Sequence, residues 1–274
     1  MALTLNTNIF SLRAQRSLGV ALRDLGKSYR RLSSGQRLRT DDAAGFGIAA
    51  RMKAQIRSLA QSSRNVQDGI GLTKIAEGAL DESSSTLIRL RELAIQASNG
   101  TLSSSDKSTL QSEFHALRTG LDQIANSTTF NGISLLNGDS ASVGLQIGSG
   151  VQSSDRYSIN LDNMQSSALG LDSLDISSDP ASAIDAIDLA VNSVASTRGR
   201  FGATQNGLES RLNAIAVQTE NLSAAASRIT DVDYARETAR FARNQILTQA
   251  SLAVLAQANL QPQNLLQLIQ GAGL

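Results

Sequence analysis

The chain has 274 residues, a formal net charge of +1, 41% hydrophobic and only 3% aromatic residues, no Cys, no Trp and a single His. Without Cys there is no disulfide scaffold, iron–sulfur cluster, thiolate zinc site or cysteine nucleophile. One His leaves no multi-histidine metal site or Ser-His-Asp triad. The apolar content is mostly Ala, Leu, Ile and Val, which suits helices packed closely side by side rather than a core of large aromatics.

The small net charge hides a polarity along the chain. Residues 1–60 carry eleven Lys/Arg against three Asp/Glu, and residues 121–197 carry nine Asp against Arg156 alone. Such asymmetry fits contact with nucleic acid or a membrane, or complementarity between copies of one chain. The first eight residues lack a basic segment followed by an apolar one, so no cleaved secretory signal is expected. No apolar stretch approaches the roughly 20 residues that span a bilayer.

From Leu18 the larger residues run Leu18, Leu22, Leu25, Tyr29 and Leu32, alternating gaps of four and three. This is a heptad seam, and Ser33-Ser34-Gly35 stops it. A second helix is expected through Met52, Ile56, Leu59, Ser63, Val66, Ile70 and Thr73, continuing through Leu80, Leu87, Leu90 and Ala94 to Asn99-Gly100. A third carries Leu110, Phe114, Leu117, Leu121 and Ile124. Between 130 and 178 the texture changes. Asn131-Gly132 and Asn137-Gly138 are turn signals, and Val143, Leu145, Ile147 and Tyr157, Ile159, Leu161 alternate as two short strands. Asp179-Pro180 opens the longest helix, from Ile184 to Ile229, which at ~1.5 Å per residue would be a rod of roughly 70 Å. The last stretch is rich in Ala, Gln and Leu, with Ala239, Ala242, Ile246, Ala250 and Ala253 three or four apart. The fold class expected is therefore mainly α: long antiparallel helices in a rod-like bundle, coiled-coil terminal helices and a small β-hairpin region. Residues 1–40 and 232–274 are expected to form one domain, and 41–231 a helical bundle with the hairpin inserted at about 130–178. Neither end has enough apolar bulk to be stable alone, so both are expected to order on other copies.

Several fragments point to chemistry and fall short of it. Asp41 and Asp42 are adjacent and cannot flank one substrate atom on a helix; they suit the start of a helix opening at Ala43. Gly45-Phe46-Gly47 and Gly69-Ile70-Gly71 lack the third glycine and preceding strand of a dinucleotide loop. His115 has no second ligand at a useful spacing. The expectation is no enzyme, no metal and no cofactor. The basic residues between Arg13 and Arg39 mix with a heptad seam and have only Phe10 and Tyr29 as aromatics. Neither nucleic-acid binding nor membrane insertion is expected of them; a charged face that meets acidic surfaces of neighbouring copies is preferred.

The sequence also resembles bacterial flagellin over nearly its whole length. The matching stretches include Asn6-Thr7-Asn8, Leu32-Ser33-Ser34-Gly35, Asp41-Asp42-Ala43-Ala44-Gly45 and Arg64-Asn65-Val66-Gln67-Asp68-Gly69-Ile70. They continue with Ala76-Glu77-Gly78-Ala79-Leu80, Arg91-Glu92-Leu93-Ala94-Ile95-Gln96-Ala97 and Phe130-Asn131-Gly132. In the C-terminal half they are Gly202-Ala203-Thr204-Gln205-Asn206, Glu220-Asn221-Leu222-Ser223-Ala224-Ala225, Ser227-Arg228-Ile229-Thr230-Asp231-Val232-Asp233 and Gln257-Ala258-Asn259.

The resemblance implies a structural subunit that self-polymerises into the hollow flagellar filament, with paired terminal helices as its inner coiled coil. With about 50 residues between Phe130 and Pro180, the outer variable domains of larger members should be missing. The alternative with the same architecture is a hook–filament junction protein. The subunit contacts implied are Leu18, Leu22, Leu25, Tyr29 and Leu32 with Ala239, Ala242, Ile246, Ala250 and Ala253. Further partners implied are an export chaperone on the C-terminal stretch from Leu255 to Leu274, hook-associated junction and cap proteins, and an animal innate-immune receptor at Arg89, Leu93 and Glu113. The implied location is the extracellular filament, reached without a cleaved signal peptide. Two departures stand out: only Gln36 to Thr40 separate Ser-Gly from Asp-Asp, where about seven residues are usual, and the chain ends Gln270-Gly271-Ala272-Gly273-Leu274.

Overall fold

A computed structural model describes residues 7–271, so Asn6 of the first motif and the terminal Ala272-Gly273-Leu274 lie outside the described residues. Five helices account for most of the chain: α1 (Ile9–Ser34), α2 (Ala43–Ala97), α3 (Ser104–Ser127), α4 (Pro180–Thr230) and α5 (Tyr234–Gly271). Between α3 and α4 lie the short strands β1 (Thr129–Phe130), β2 (Ile133–Ser134), β3 (Ser142–Gln146) and β4 (Arg156–Asn160). The mainly α class with small antiparallel strand pairs is as the sequence predicts. The chain divides into two compact units, one of Met1–Lys53 with Leu222–Leu274 and one of Ala54–Asn221.

In the Ala54–Asn221 unit, α2 and α4 run antiparallel. The register is fixed by Arg91 Nε to Asp188 Oδ1 at 2.6 Å, Arg198 Nη1 to Asp81 Oδ1 at 2.9 Å, and Gln205 Nε2 to Glu77 Oε2 at 2.9 Å. The buried stripe of α2 repeats every three or four residues without a break: Leu59, Ser62, Val66, Gly69, Thr73, Ala76, Leu80, Ser83, Leu87, Leu90, Ala94 and Ala97. On α4 it is Ala183, Ile187, Ala190, Val194, Thr197, Phe201, Leu208 and Ile215. Small and large residues alternate, so the helices approach closely while Leu and Phe fill the remaining space. The buried hydroxyls are satisfied: Thr73 Oγ1 donates to Gly69 O at 3.2 Å and Ser83 Oγ to Ala79 O at 2.9 Å.

The α3 helix starts on a capping box in which Ser103 and Asp106 bond each other's backbone N–H groups. Its inner face carries Phe114, Leu121 and Ala125, the first two among the residues the sequence pattern selects. The strands follow the alternation read from the sequence. β3 and β4 pair antiparallel, with Val143 opposite Ile159 and Leu145 opposite Tyr157. β1 and β2 turn through Asn131 (φ 47°) and Gly132 (φ 78°), the two positive-φ residues of a primed hairpin turn. The larger hairpin lies on α2 and α4. Ser62 Oγ donates to Gly148 O, Asn65 Nδ2 to Gln146 O and Arg211 Nε to Ile147 O. A Cβ on Gly69 would stand 2.3 Å from Leu145 Cδ1 and 3.3 Å from Leu208 Cδ1. This glycine thus makes room for the hairpin rather than for a phosphate.

In the other unit, α1 and α5 pair antiparallel. At one end Ser11 Oγ donates to Asn259 Oδ1 at 2.9 Å, and Asn8 Nδ2 to Ala258 O at 2.8 Å; Asn8 also caps α1 through Ser11 N–H. At the other end Arg31 Nη1 meets Glu237 Oε1 at 3.1 Å. The seam between them is heptad-spaced and shares Leu18, Leu25 and Leu32 with the set the sequence suggests, but takes small residues where that set has Leu22 and Tyr29. On α1 the buried positions are Ser11, Ala14, Ala21 and Ser28, with Leu18, Leu25 and Leu32 half-buried among them. On α5, Glu237 and Ala258 are buried and Phe241, Asn244, Thr248, Ser251 and Leu255 half-buried.

The joint that ends this pair is held by backbone. Gly35 (φ 67°) closes α1 in the left-handed region. Val232 N–H then donates to Gly35 O at 3.0 Å, and Arg37 N–H to Thr230 O at 2.8 Å. The short Gln36–Thr40 link is therefore stitched by its first residues to the turn between α4 and α5, with Gln36 bridged to Asp231.

Candidate assembly surfaces

The outward faces of α1 and α5 are where the terminal unit departs from ordinary packing. Large apolar side chains lie exposed on both: Ile9, Phe10, Leu12, Val20, Leu22 and Tyr29 on α1, and Ile246, Leu247, Leu252, Val254 and Leu260 on α5. Leu22 is 50% exposed, Tyr29 66% and Ile246 65%. Among the described residues, none of the largest fully buried side chains belongs to this unit. An isolated exposed leucine is unremarkable, but several large apolar side chains exposed on both helices of one pair suit an interaction surface. Along one edge Phe10, Ala14 and Ser17 face Leu247, Ala250, Ser251 and Val254 across a groove of about 490 Å³.

The expected contact residues fall into two groups. Leu18, Leu25 and Leu32 turn toward α5 within the chain and are half-buried. Leu22 and Tyr29, and on α5 Ala239, Ala242, Ile246, Ala250 and Ala253, are all exposed. The sequence pattern did not single out Asn8, Ser11 or Glu237 for the α1–α5 pair. Their polarity disguises inner-face positions that are visible only once the two helices are aligned.

Arg31 organises the joint. Its guanidinium also grips Asp41, 3.0 Å from Nη2 to each carboxylate oxygen. Glu237 is 4% exposed at its side chain, so Arg31 compensates a carboxylate that water scarcely reaches. Burial pushes the Asp41 carboxyl up; the Arg31 and Leu38 N–H hydrogen bonds, with the Arg31 and Lys27 charges, outweigh it and leave Asp41 below its ordinary value. Its neighbour Asp42 caps α2, accepting from Gly45 N–H at 2.7 Å. The two adjacent carboxylates thus have separate structural tasks.

Arg89 and Glu113 are exposed and paired at 2.9 Å, and Arg89 also meets Glu92 at 3.0 Å. Leu93, between them in the expected recognition set, is 0% exposed and belongs to the core. His115 is exposed, with its Nε2 2.9 Å from Gln111 Nε2. Among the described residues no three His, Asp or Glu side chains converge to hold a metal ion, and no helix is long and apolar enough to cross a membrane.

Comparison with known proteins identifies a family that matches both halves of the chain. Residues 5–141 match the family model of the bacterial flagellin N-terminal helical region, and residues 184–269 that of the bacterial flagellin C-terminal helical region. The chain is 44% identical over 272 residues to a flagellin of Halalkalibacterium halodurans, covering 97% of this chain and 99% of that one. It is 40% identical to a flagellin of Bacillus subtilis and 38% identical to a flagellar filament core protein of Treponema maltophilum, at the same coverages. Among solved structures, Bacillus cereus flagellin matches with a TM-score of 0.50 and 28% identity, covering 60% of this chain and 94% of that one. A putative flagellar hook-associated protein from Vibrio parahaemolyticus shares the fold at 17% identity, with a TM-score of 0.58 over 70% of this chain and all of that one.

Proposed function

The chain belongs to the bacterial flagellin family and is a structural subunit of the flagellar filament. On that premise we propose that the outward faces of α1 and α5 are the surfaces by which each subunit polymerises. The observation that carries this reading is that the buried positions of α1 are all Ala or Ser, with Leu18, Leu25 and Leu32 only half-buried beside them, while Phe10, Leu22, Tyr29 and Ile246 are exposed. Burying those side chains on neighbouring copies is the favourable term of assembly, at about 25 cal/mol per Å² of apolar surface. Leu22, Tyr29, Ala239, Ala242, Ile246, Ala250 and Ala253 are the exposed contacts. Leu18, Leu25 and Leu32 serve the same contacts from within, by holding α1 on α5. In this reading residues 1–40 and 232–274 form the coiled-coil assembly domain and 41–231 the helical-bundle domain.

The relatives are structural filament proteins rather than enzymes. Subunit identity with them far exceeds that with the hook-associated neighbour, which favours filament over junction. Junction and cap proteins would then meet the same terminal faces at the two ends of the polymer. An export chaperone would take the C-terminal stretch of α5 from Leu255 onward. An animal innate-immune receptor would read the exposed Arg89–Glu113 pair, with Leu93 acting from the core to hold that surface.

Seeded polymerisation of the full chain tests the reading. Leu22→Ser with Ile246→Ser should leave the melting temperature of the free chain within a few degrees and prevent elongation on parental seeds. Elongation at the parental rate would overturn it.

A further inference from the structure

A cavity of about 410 Å³ opens at the joint of α1 and α5, and its walls carry four arginines: Arg31, Arg37, Arg236 and Arg240. The carboxylates beside them are committed. Asp41 and Glu237 are held by Arg31 at 3.0 and 3.1 Å, and Asp233 caps α5 through the Arg236 N–H at 3.1 Å. The other guanidinium groups are less well met. Arg37 gives its Nε to Asp231 O, while Arg236 and Arg240 stand 3.8 and 3.7 Å from Asp233 and Glu237, beyond hydrogen-bond reach. Each guanidinium has five donors in a planar fork that suits a carboxylate, so Arg236 and Arg240, both largely exposed, retain donors for a further carboxylate.

The complementary charge lies elsewhere on the same chain. The loop that returns along α3 and leads into α4 exposes Asp172, Asp175 and Asp179, and the second turn of α4 adds Asp185. No Lys or Arg occurs from residue 157 to residue 197, and Arg118 of α3, which packs on this loop, donates to the Leu171 and Asp172 carbonyls rather than to the carboxylates. The loop is firmly placed: Ser166 Oγ lies 2.8 Å from Asp122 and 2.7 Å from Asp172, and Ile176 N–H donates to Gln111 Oε1 at 2.8 Å. Hydrogen bonds from Ser177 and Ser182 hold the Asp175 and Asp179 carboxyls below their ordinary range, which keeps them ionised.

An open helical polymer requires heterologous contacts, in which one patch of a subunit meets a different patch of the next. Two fixed patches of opposite sign on one chain meet that requirement. We propose that the arginine pocket of Arg37, Arg236 and Arg240 receives the carboxylates of the 172–185 segment from a second copy of this chain. The inference rests on the filament reading and adds to it a polar, directional contact separate from the apolar faces of α1 and α5. A pair of charged patches sets register and speeds encounter more than it adds affinity, and salt screens it over about 8 Å at physiological strength.

Charge exchange in the full chain tests the proposal. Arg236→Glu with Arg240→Glu, and separately Asp175→Arg with Asp185→Arg, should each slow elongation on parental seeds at low salt by about tenfold or more. The chain carrying all four substitutions, grown on seeds of its own kind, should recover most of the parental rate. Parental elongation by either pair alone would overturn the proposal. So would failure of the four-fold chain to recover while it melts like the parent. Should the arginine reversals disturb the joint and lower the melting temperature, Arg236→Gln with Arg240→Gln gives a second reading. That pair should flatten the salt dependence of elongation, and an unchanged salt dependence would overturn the proposal equally.

Discussion

Both units of the molecule are built from heptad-spaced helices, yet only one of them has a seam of fully buried large apolar side chains. In the Ala54–Asn221 unit the stripe Leu80, Leu87 and Leu90 faces Ile187, Val194 and Phe201 and is fully shielded from water. In the terminal unit the inner stripe is Ser11, Ala14, Ala21 and Ser28, while Leu22, Tyr29 and Ile246 face outward. The first unit buries an unbroken leucine-rich seam within the chain, although Ile75, Ile88, Ile95 and Leu189 remain exposed on its surface. The second holds its two helices in register mainly by polar contacts at each end and leaves its largest apolar area for other copies. Periodicity alone therefore reports a helix and a seam; residue size along the seam reports whether burial happens inside the subunit or between subunits.

The contrast can be broken most strongly from the bundle side. Leu87→Ala opens a cavity in a fully buried seam and should destabilise the free chain by about 2–5 kcal/mol, read by denaturant unfolding. Leu22→Ala in the terminal unit should change that stability by less than about 0.5 kcal/mol. Equal losses at the two positions would erase the distinction. Next in size is the joint. Glu237→Ala leaves Arg31 without its buried partner, and Arg31→Ala leaves the buried Glu237 with only the longer contact to Arg240; each should cost about 3 kcal/mol locally. The loss should appear as faster proteolysis in residues 31–42, with the melting of the bundle unchanged. A smaller effect is expected at the start of α3. Ser103→Ala removes one half of the capping box and should cost about 1 kcal/mol.

Acid gives a further handle on the same comparison. Asp41 at the joint and Asp188 in the bundle are both held below the ordinary carboxylate value of 3.8: Asp188 by Arg91, and Asp41 by Arg31 and the Leu38 N–H against its burial. A carboxyl depressed in the folded state contributes stability that is complete above its unfolded value and disappears as pH falls through its folded one. Both units should thus hold down to about pH 4 and loosen below it. Asp41→Asn should make joint opening, followed by proteolysis between pH 5 and 2, less dependent on pH. An acid profile identical to the parent's would show that Asp41 does not govern that opening.

Much of this architecture was legible in the sequence. The stop of α1 at Gly35, the opening of α4 at Asp179-Pro180, the turn at Asn131-Gly132 and the alternation of β3 and β4 each rest on local chemistry, and each appears where the residues place it. The phase of the terminal seam was legible only in part. A search for periodic large residues selects Leu18, Leu22, Leu25, Tyr29 and Leu32; the seam keeps Leu18, Leu25 and Leu32 but pairs them with Ser11, Ala14, Ala21 and Ser28 rather than with Leu22 and Tyr29. Short side chains let two backbones approach, and their hydroxyls find partners such as Asn259. The same holds on α5, where the Ala239–Ala253 stripe is exposed and the inner face carries Glu237, Asn244 and Thr248. Glu237 in particular reads as a surface residue until Arg31, far away in sequence, is known to lie against it. The role of Gly69 is equally non-local, because the side chains that need its missing Cβ come from the hairpin and from α4.

The most direct test is amide hydrogen exchange on the free chain and on filaments grown from it, followed peptide by peptide. The exposed apolar faces of α1 and α5 should leave residues 7–34 and 234–260 weakly protected in the free chain, while residues 59–97 and 183–215 exchange slowly. In filaments the terminal peptides should become as protected as the bundle. Terminal helices already as protected in the free chain as the bundle, with no gain on polymerisation, would contradict the claim that this unit completes its burial only between subunits.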